Sequence, residues 1–203
     1  MHNSGLRIAL VTAALVAAPL VGAAAQGPPM RGMGRGPEVM PANQKQVVDR
    51  MITDDSLEVD MAKLAAARTK NEAVRNFART LVTDHSAHLA NLRKLAGKRD
   101  IGREGNPADS SGMRNGRMLE RMQGMTVDSV FDRAFVRQQV QHHMRALAQL
   151  PDLRAMSKDD DLQQDIDRTR PVLERHLALA RSLAAQMGIP ADSGRGRRGP
   201  PER

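Results

Sequence analysis

Five of the six histidines and one glutamate are the residues of this sequence whose types and positions point to chemistry. They are Glu58, His85, His88, His142, His143 and His176. Four of these five histidines fall on the apolar positions of helical repeats. About two positions in seven face a core in such repeats, so chance would place one or two of them there. Because neutral imidazole and carboxylate are ligands of Zn, Mn, Fe, Co, Ni and Cu, the pattern indicates a transition-metal site.

The axial positions of four of these residues strengthen that interpretation. Glu58, His85, His143 and His176 each lie near the middle of their own helical segment, and the middles of helices meet at one level in a bundle. A carboxylate and three imidazoles are costly to bury unless a partner satisfies all of them, and a divalent metal ion does so. We therefore predict that these four residues bind a transition metal ion. The residue types do not distinguish among Zn, Cu, Mn and Fe.

Three further polar residues lie beside these positions. His88 is one helical turn beyond His85, Asp84 is four residues before His88, and His142 directly precedes His143. We expect Asp84, His88 and His142 to be additional ligands, or groups that hold an imidazole in place by hydrogen bonding. The structural alternative for each histidine is that a backbone carbonyl or a water satisfies it and the polar group fixes the register of the bundle.

Four segments with a helical apolar period carry these residues. They cover residues 43–69, 72–98, 127–150 and 160–187. Asn43 and Asn71 are expected to cap the first two segments, Pro151 to end the third and Gly188 to end the fourth, in which Pro171 should introduce a kink. The core-facing positions of the first segment are Val48, Met51, Asp55, Glu58, Ala62 and Ala65.

Four long amphipathic helices of similar length predict an all-α protein, a four-helix bundle. The link between the second and third helices, residues 99–125, is too long for a hairpin connection. Ferritin-like bundles have a long crossover at this point, so we predict ferritin-like topology. Within the link, Met118, Met122 and Met125 recur at helical spacing and predict a short helix that packs an apolar stripe against the bundle.

The two ends of the chain have a different composition. Residues 1–25 combine a basic start, an apolar stretch and three terminal alanines, which is typical of a signal peptide cleaved near Ala25. We therefore expect a periplasmic or secreted protein without stable membrane insertion. The bundle is expected over residues 43–190, between a disordered Gly/Pro/Met-rich lead-in at 26–42 and a disordered basic tail at 191–203.

The composition excludes several classes of site. The absence of cysteine excludes disulfides, thiolate nucleophiles, iron–sulfur clusters and c-type haem attachment. Because Phe77, Phe131 and Phe135 are the only aromatic residues, a stacking platform for nucleic acid is disfavoured, and export argues against a nucleic-acid partner despite the net charge of +8. No nucleophile elbow, phosphate-binding loop or triad pattern occurs, so no catalytic residue is predicted.

Three stretches of the chain resemble the signature segments of domain-of-unknown-function family 4142, a family of exported bacterial proteins with a predicted ferritin-like bundle. The stretches are SLEVDMAKLAAARTKNEAVRNFARTLVTDH, FDRAFVRQQVQHHMRALAQL and PVLERHLALARSLA, and the resemblance covers about residues 50–187. It implies that Glu58, Asp84, His85, His143 and His176 occupy the recurrent polar positions of the family. It implies a fold and a compartment, but no biochemical activity.

The sequence departs from this family at several positions. The family commonly has an acid where this chain has His142 and often a Glu where it has Arg175, whereas His88 is an addition. The paired Glu-x-x-His motifs of di-iron ferritins are missing, which disfavours ferroxidase iron storage.

Two alternatives from other functional classes remain open. The first is a non-enzymatic envelope stress or interaction protein whose polar core residues only specify packing. The second is a b-type haem bundle with His176 and a methionine such as Met51 as axial ligands, which leaves His85 and His143 without a role. Neither alternative decides whether the protein is an enzyme.

Overall fold

The computed structural model describes Pro41, residues 43–99 and residues 111–190, and these residues form helices and no strand. The helices are α1 (Gln44–Arg68), α2 (Glu72–Arg99), α3 (Ser111–Gln123), α4 (Ser129–Met156) and α5 (Asp160–Gln186). The all-α prediction is confirmed. The expected signal peptide, the lead-in apart from Pro41, and the basic tail lie outside the described residues. None of the helices in the described ranges combines the length and apolar character needed to span a membrane.

Local capping residues set the helix ends. Asn43 and Asn71 accept hydrogen bonds from the first backbone amides of α1 and α2, as the sequence predicts. The side chains of Asp128 and Asp159 do the same for α4 and α5. Gly188 follows α5 with φ of 62°, the left-handed conformation that favours glycine after a helix.

The expectation that Pro151 ends its helix is wrong, because α4 continues through this residue to Met156. A proline removes one intrahelical hydrogen bond, which usually interrupts a helix. Here the residues on either side, Leu150 and Leu153, are buried in an apolar cluster shared with α1, α2 and α5. Burial of these side chains offsets the lost hydrogen bond. Pro171 likewise lies inside α5.

Two helical hairpins make up the bundle. Helix α1 packs along α2, and α4 packs along α5; α2 also contacts α5, and α1 contacts α4. The connections within each hairpin are short, whereas the connection between α2 and α4 is the long crossover that contains α3. The predicted four-helix bundle is therefore observed, with α3 as a fifth, shorter helix.

The crossover helix α3 packs against α1. Met122 is buried in the core, and Met118 and Met125 pack beside it, so the predicted methionine stripe is confirmed. The Arg68 guanidinium donates to the carbonyl oxygens of Met122, Gln123 and Met125 at 2.6–3.0 Å. These bonds satisfy carbonyl groups that the end of α3 leaves without intrahelical partners.

Two apolar clusters occupy the core. One contains Leu57, Leu81, Phe135 and Leu183, and the other contains Ile52, Leu89, Leu150 and Leu173. Along each of the four long helices, buried polar residues lie between the residues of one apolar cluster and those of the other. The bundle therefore has a buried polar layer near its middle.

Candidate metal centre

Three histidines from three helices converge in this polar layer. His85 on α2, His143 on α4 and His176 on α5 are all buried, with exposures of 4%, 0% and 0%. One ring nitrogen of each lies within 4.8 Å of the other two, and the ring centroids are 5.2–5.7 Å apart. Three imidazoles at this spacing could hold one metal ion.

Two of the three rings donate a hydrogen bond to a carboxylate on the side that faces away from the cluster. His85 Nδ1 donates to Asp55 Oδ1 at 2.9 Å, and His176 Nε2 donates to Asp84 Oδ2 at 2.8 Å. Arg175 donates to the same Asp84 oxygen at 2.8 Å. We call the ring nitrogen that faces away from the cluster the outer nitrogen and the other one the inner nitrogen. Because a carboxylate only accepts, these bonds place a proton on each outer nitrogen, and His85 Nε2 and His176 Nδ1 are the inner nitrogens.

The third ring is held by its own helix. His143 Nδ1 donates to the Gln139 carbonyl oxygen, one turn earlier, at 3.0 Å. Its inner nitrogen, Nε2, faces His176 Nδ1 at 3.3 Å. Two nitrogens bound tetrahedrally to a zinc ion at about 2.0–2.1 Å would lie about 3.3–3.4 Å apart. The observed separation therefore matches the spacing of two ligands on one ion.

Among the described residues, the inner nitrogens of His143 and His176 face only each other. His85 Nε2 has no hydrogen-bond partner among the described residues. Burial, together with the neighbouring histidines His142, His85 and His176, holds the pKa of His143 well below its usual range. Burial also lowers the pKa of His176, although the Asp84 carboxylate opposes this. Neutral His143 and His176 rings place two lone pairs face to face.

The pKa of His85 is shifted the other way. Burial lowers it, but the hydrogen bond that His85 donates to Asp55 and the negative charges of Glu58 and Asp55 outweigh burial, so the pKa is raised. His85 is thus the most basic of the three converging imidazoles. Glu58 lies close enough to act on its charge.

The carboxylate of Glu58 is buried without a hydrogen bond. The residue on α1 is 0% exposed, and neither of its oxygens accepts a hydrogen bond from the described residues. The His142 ring lies beside this carboxylate, with its Nδ1 3.6 Å from Glu58 Oε1. A buried carboxylate that accepts no hydrogen bond carries a large desolvation cost, which a metal ion beside it would offset.

His88 belongs to a neighbouring polar cluster that shares Asp55 with His85. Its Nδ1 lies 2.7 Å from Asp55 Oδ2 and its Nε2 2.9 Å from Asp165 Oδ2, while Thr169 and Asn91 complete the hydrogen bonding around Asp165 and His88. Burial opposes the charge on His88, but the two carboxylates outweigh it and raise its pKa to about 10. Both ring nitrogens of His88 are therefore occupied by carboxylates, and the residue is a structural cation.

The structure thus divides the predicted site residues into groups. His85, His143 and His176 form the cluster; Glu58 and His142 lie together at its side; Asp84 holds His176; and His88 is engaged elsewhere.

Sequence reasoning missed the roles of two carboxylates. The position of Asp55 on the core-facing side of α1 was a usable signal, whereas Asp165 is offset by one residue from the apolar repeat of α5 and gave none. Met51, the proposed haem ligand, packs in the apolar cluster that also contains Leu150.

Comparison with known families agrees with this architecture. The family model described as Domain of unknown function (DUF4142) matches residues 33–183, which is well over half of the chain. No curated protein matches the chain in sequence.

Two solved structures have similar folds. The first is the crystal structure of a DUF305 fragment from Deinococcus radiodurans, with a TM-score of 0.62 and 15% identity, covering 74% of this chain and 99% of that one. The second is CopM in the Cu(II)-bound form, with a TM-score of 0.56 and 15% identity, covering 72% and 99%. At this identity the likeness concerns the fold alone.

The chain belongs to the DUF4142 family, as its resemblance predicts.

Proposed function

We propose that this member of the DUF4142 family is an exported protein that binds a transition metal ion in the core of its bundle. His85 Nε2, His143 Nε2 and His176 Nδ1 are the nitrogen ligands, and Glu58 supplies an oxygen. The observation that carries the proposal is the convergence of one ring nitrogen from each of the three histidines within 4.8 Å. Glu58 adjoins this set through His142, which lies 3.6 Å from its Oε1 and edge-on to His143, and neither Glu58 oxygen accepts a hydrogen bond from the described residues.

The hydrogen bonds on the outer nitrogens favour metal binding over a purely structural role. A structural histidine in a core uses its ring nitrogens to satisfy neighbours, whereas here each outer nitrogen is satisfied and each inner one faces the other rings. Carboxylate and carbonyl acceptors of this kind orient metal-binding imidazoles and increase their basicity.

The ligand set favours borderline divalent ions. Three imidazoles and a carboxylate suit Zn, Cu and Fe, and a carboxylate-rich environment also admits Mn. A similar fold is found in CopM, which was solved in a Cu(II)-bound form, so copper belongs among the ions to be tested. Metal buffering or redox chemistry in the envelope would follow from such a site.

The decisive experiment measures metal content directly. The chain from residue 26 onwards is purified without a His-tag, loaded separately with Zn, Cu, Mn and Fe, desalted and analysed by mass spectrometry, with protein quantified by amino-acid analysis. We expect about one tightly bound ion per chain. His143→Ala should abolish this binding, because it removes a central nitrogen ligand.

Leu147→Ala is the matched control. It shortens a side chain one turn further along α4, where Leu147 packs against the neighbouring apolar cluster, and it removes no ligand. It should retain the metal. If the wild-type chain binds none of the four ions, the metal-binding proposal is wrong and the polar core is structural, which leaves a non-enzymatic envelope interaction protein. A Soret band in the purified protein would instead indicate haem.

A further inference from the structure

The ligand atoms of the proposed centre are shut off from solvent, so an ion needs a route to them. His143, His176 and Glu58 are each 0% exposed and His85 is 4% exposed. An ion entering from water must exchange its hydration shell for protein ligands on the way. The residues that line the route should therefore include a ligand group with some exposure to solvent.

Two sides of the centre are closed by the rings themselves. Asp84 has an exposed fraction of 27%, but it binds the outer nitrogen of His176, so the imidazole ring lies between this carboxylate and the inner nitrogens. Asp55 is buried on the far side of His85 and is held between His85 and His88. An ion bound at either carboxylate would have to displace a ring to advance.

The third side presents the buried carboxylate of Glu58 and the partly exposed imidazole of His142. His142 has a side chain that is 13% exposed, and its Nδ1 points to Glu58 Oε1. Both Glu58 oxygens are without hydrogen bonds from the described residues. The His142 ring also lies edge-on to His143, with centroids 5.5 Å apart, so this pair adjoins the cluster.

The distance between His142 and Glu58 fits a bridging metal ion better than a direct hydrogen bond. His142 Nδ1 and Glu58 Oε1 are 3.6 Å apart, which is longer than a nitrogen–oxygen hydrogen bond. One ion with nitrogen and oxygen ligands at about 2.0–2.2 Å spans such a gap at an angle near 120°. Glu58 can then remain bound to the ion while the ion moves to the inner nitrogens.

We propose that His142 and Glu58 form an access position through which the metal ion passes between solvent and the centre made by His85, His143 and His176. His142 binds the ion only in transit, whereas Glu58 remains a ligand of the bound ion. This inference rests on the proposed function.

An access residue has a kinetic signature that a permanent ligand lacks. Because His142 contacts the ion at the barrier and not in the bound state, His142→Ala should slow uptake and release by the same factor, about tenfold, and leave the dissociation constant unchanged. Co(II) is the probe, since its visible absorption reports coordination. Uptake is followed by stopped-flow mixing, release by an excess of EDTA, and affinity by competition with a chelator.

Two further variants keep the result specific. His142→Glu replaces one ligand by another and should restore both rates towards the wild-type values. Met144→Leu changes a residue with 47% exposure on the other side of His143 and should leave rates and affinity unaltered. The apo form of every variant is compared by circular dichroism and thermal unfolding.

Three results would overturn the access position while leaving the metal centre intact. The first is unchanged rates in His142→Ala. The second is a weakened affinity with an unchanged uptake rate, which would make His142 a permanent ligand. The third is a second ion per chain that His142→Ala removes, which would make this pair a separate site. A wild-type chain that binds no ion overturns both proposals together.

Discussion

His143 Nε2 and His176 Nδ1 face each other at 3.3 Å in the middle of the bundle, and neither atom carries a proton when the two rings are neutral. The protons are held on the outer nitrogens by the Gln139 carbonyl and the Asp84 carboxylate. Two opposed lone pairs in a buried layer are unfavourable, and a cation between them removes the repulsion. This repulsion is therefore expected to lower the free energy of unfolding of the metal-free protein.

Metal binding should stabilise the fold, because the ligands come from both helical hairpins. His85 and Glu58 belong to the α1–α2 hairpin, and His143 and His176 to the α4–α5 hairpin. A ligand that binds only the folded state, at a free concentration of about 100 times its dissociation constant, adds about 2.7 kcal/mol to the free energy of unfolding. Thermal unfolding with zinc and with EDTA measures this shift. An equal shift in His143→Ala would contradict binding at this centre.

His143→Leu should leave the metal-free protein as stable as the wild type, or more stable by up to about 2 kcal/mol. Leucine fills a similar volume and removes the lone pair opposite His176. His143→Ala opens a cavity and should lower the free energy of unfolding by about 2 kcal/mol or more. Urea unfolding in EDTA compares the two variants. Equal destabilisation by both would mean that the His143 imidazole itself stabilises the apo core.

Asp84→Asn should weaken metal binding without removing a ligand. The amide still accepts from His176 Nε2, but it lacks the negative charge that makes the imidazole a better donor to the metal. A loss of about 10- to 100-fold in affinity is expected, as for other residues that orient metal-binding imidazoles. Chelator competition gives the dissociation constants, and Asp60→Asn on the exposed face of α1 is the control. Equal affinities in the two variants would count against the orienting role.

His88→Gln should change how stability depends on pH. The pKa of His88 is raised from 6.5 to about 10 in the folded state, so between these values the folded state holds a proton that the unfolded state releases. The stabilisation from His88 is complete below about pH 6.5. It is then lost at about 1.4 kcal/mol per pH unit as the pH rises towards the folded pKa.

The measurement for His88 is the difference in free energy of unfolding between the wild type and His88→Gln, in EDTA, from pH 6 to pH 10. This difference should be largest at pH 6 and shrink as the pH rises. Groups that titrate equally in the two proteins cancel in the difference. A difference that stays constant over this range would show that His88 is not a buried cation.

Much of the architecture follows from local sequence. The helical repeats, the caps at Asn43 and Asn71, the glycine after α5 and the methionine stripe of α3 depend on residues within a turn or two of each other. The same repeats predict which polar residues are buried, including Glu58, His143 and His176. Pro151 is the exception, because its local preference is outweighed by packing with distant helices.

The sequence by itself therefore determined the helices, the bundle and the presence of imidazoles in its core, since burial and helical period are properties of single segments. Only the tertiary structure decided that Asp84 holds His176, that Asp55 joins His85 to His88, and which ring nitrogens face inward. These pairings join residues on different helices, from 30 to 92 positions apart in the sequence. A shift of one residue moves a side chain about 1.5 Å along its helix and turns it by about 100°, so they depend on the rotation and stagger set by packing of the whole core.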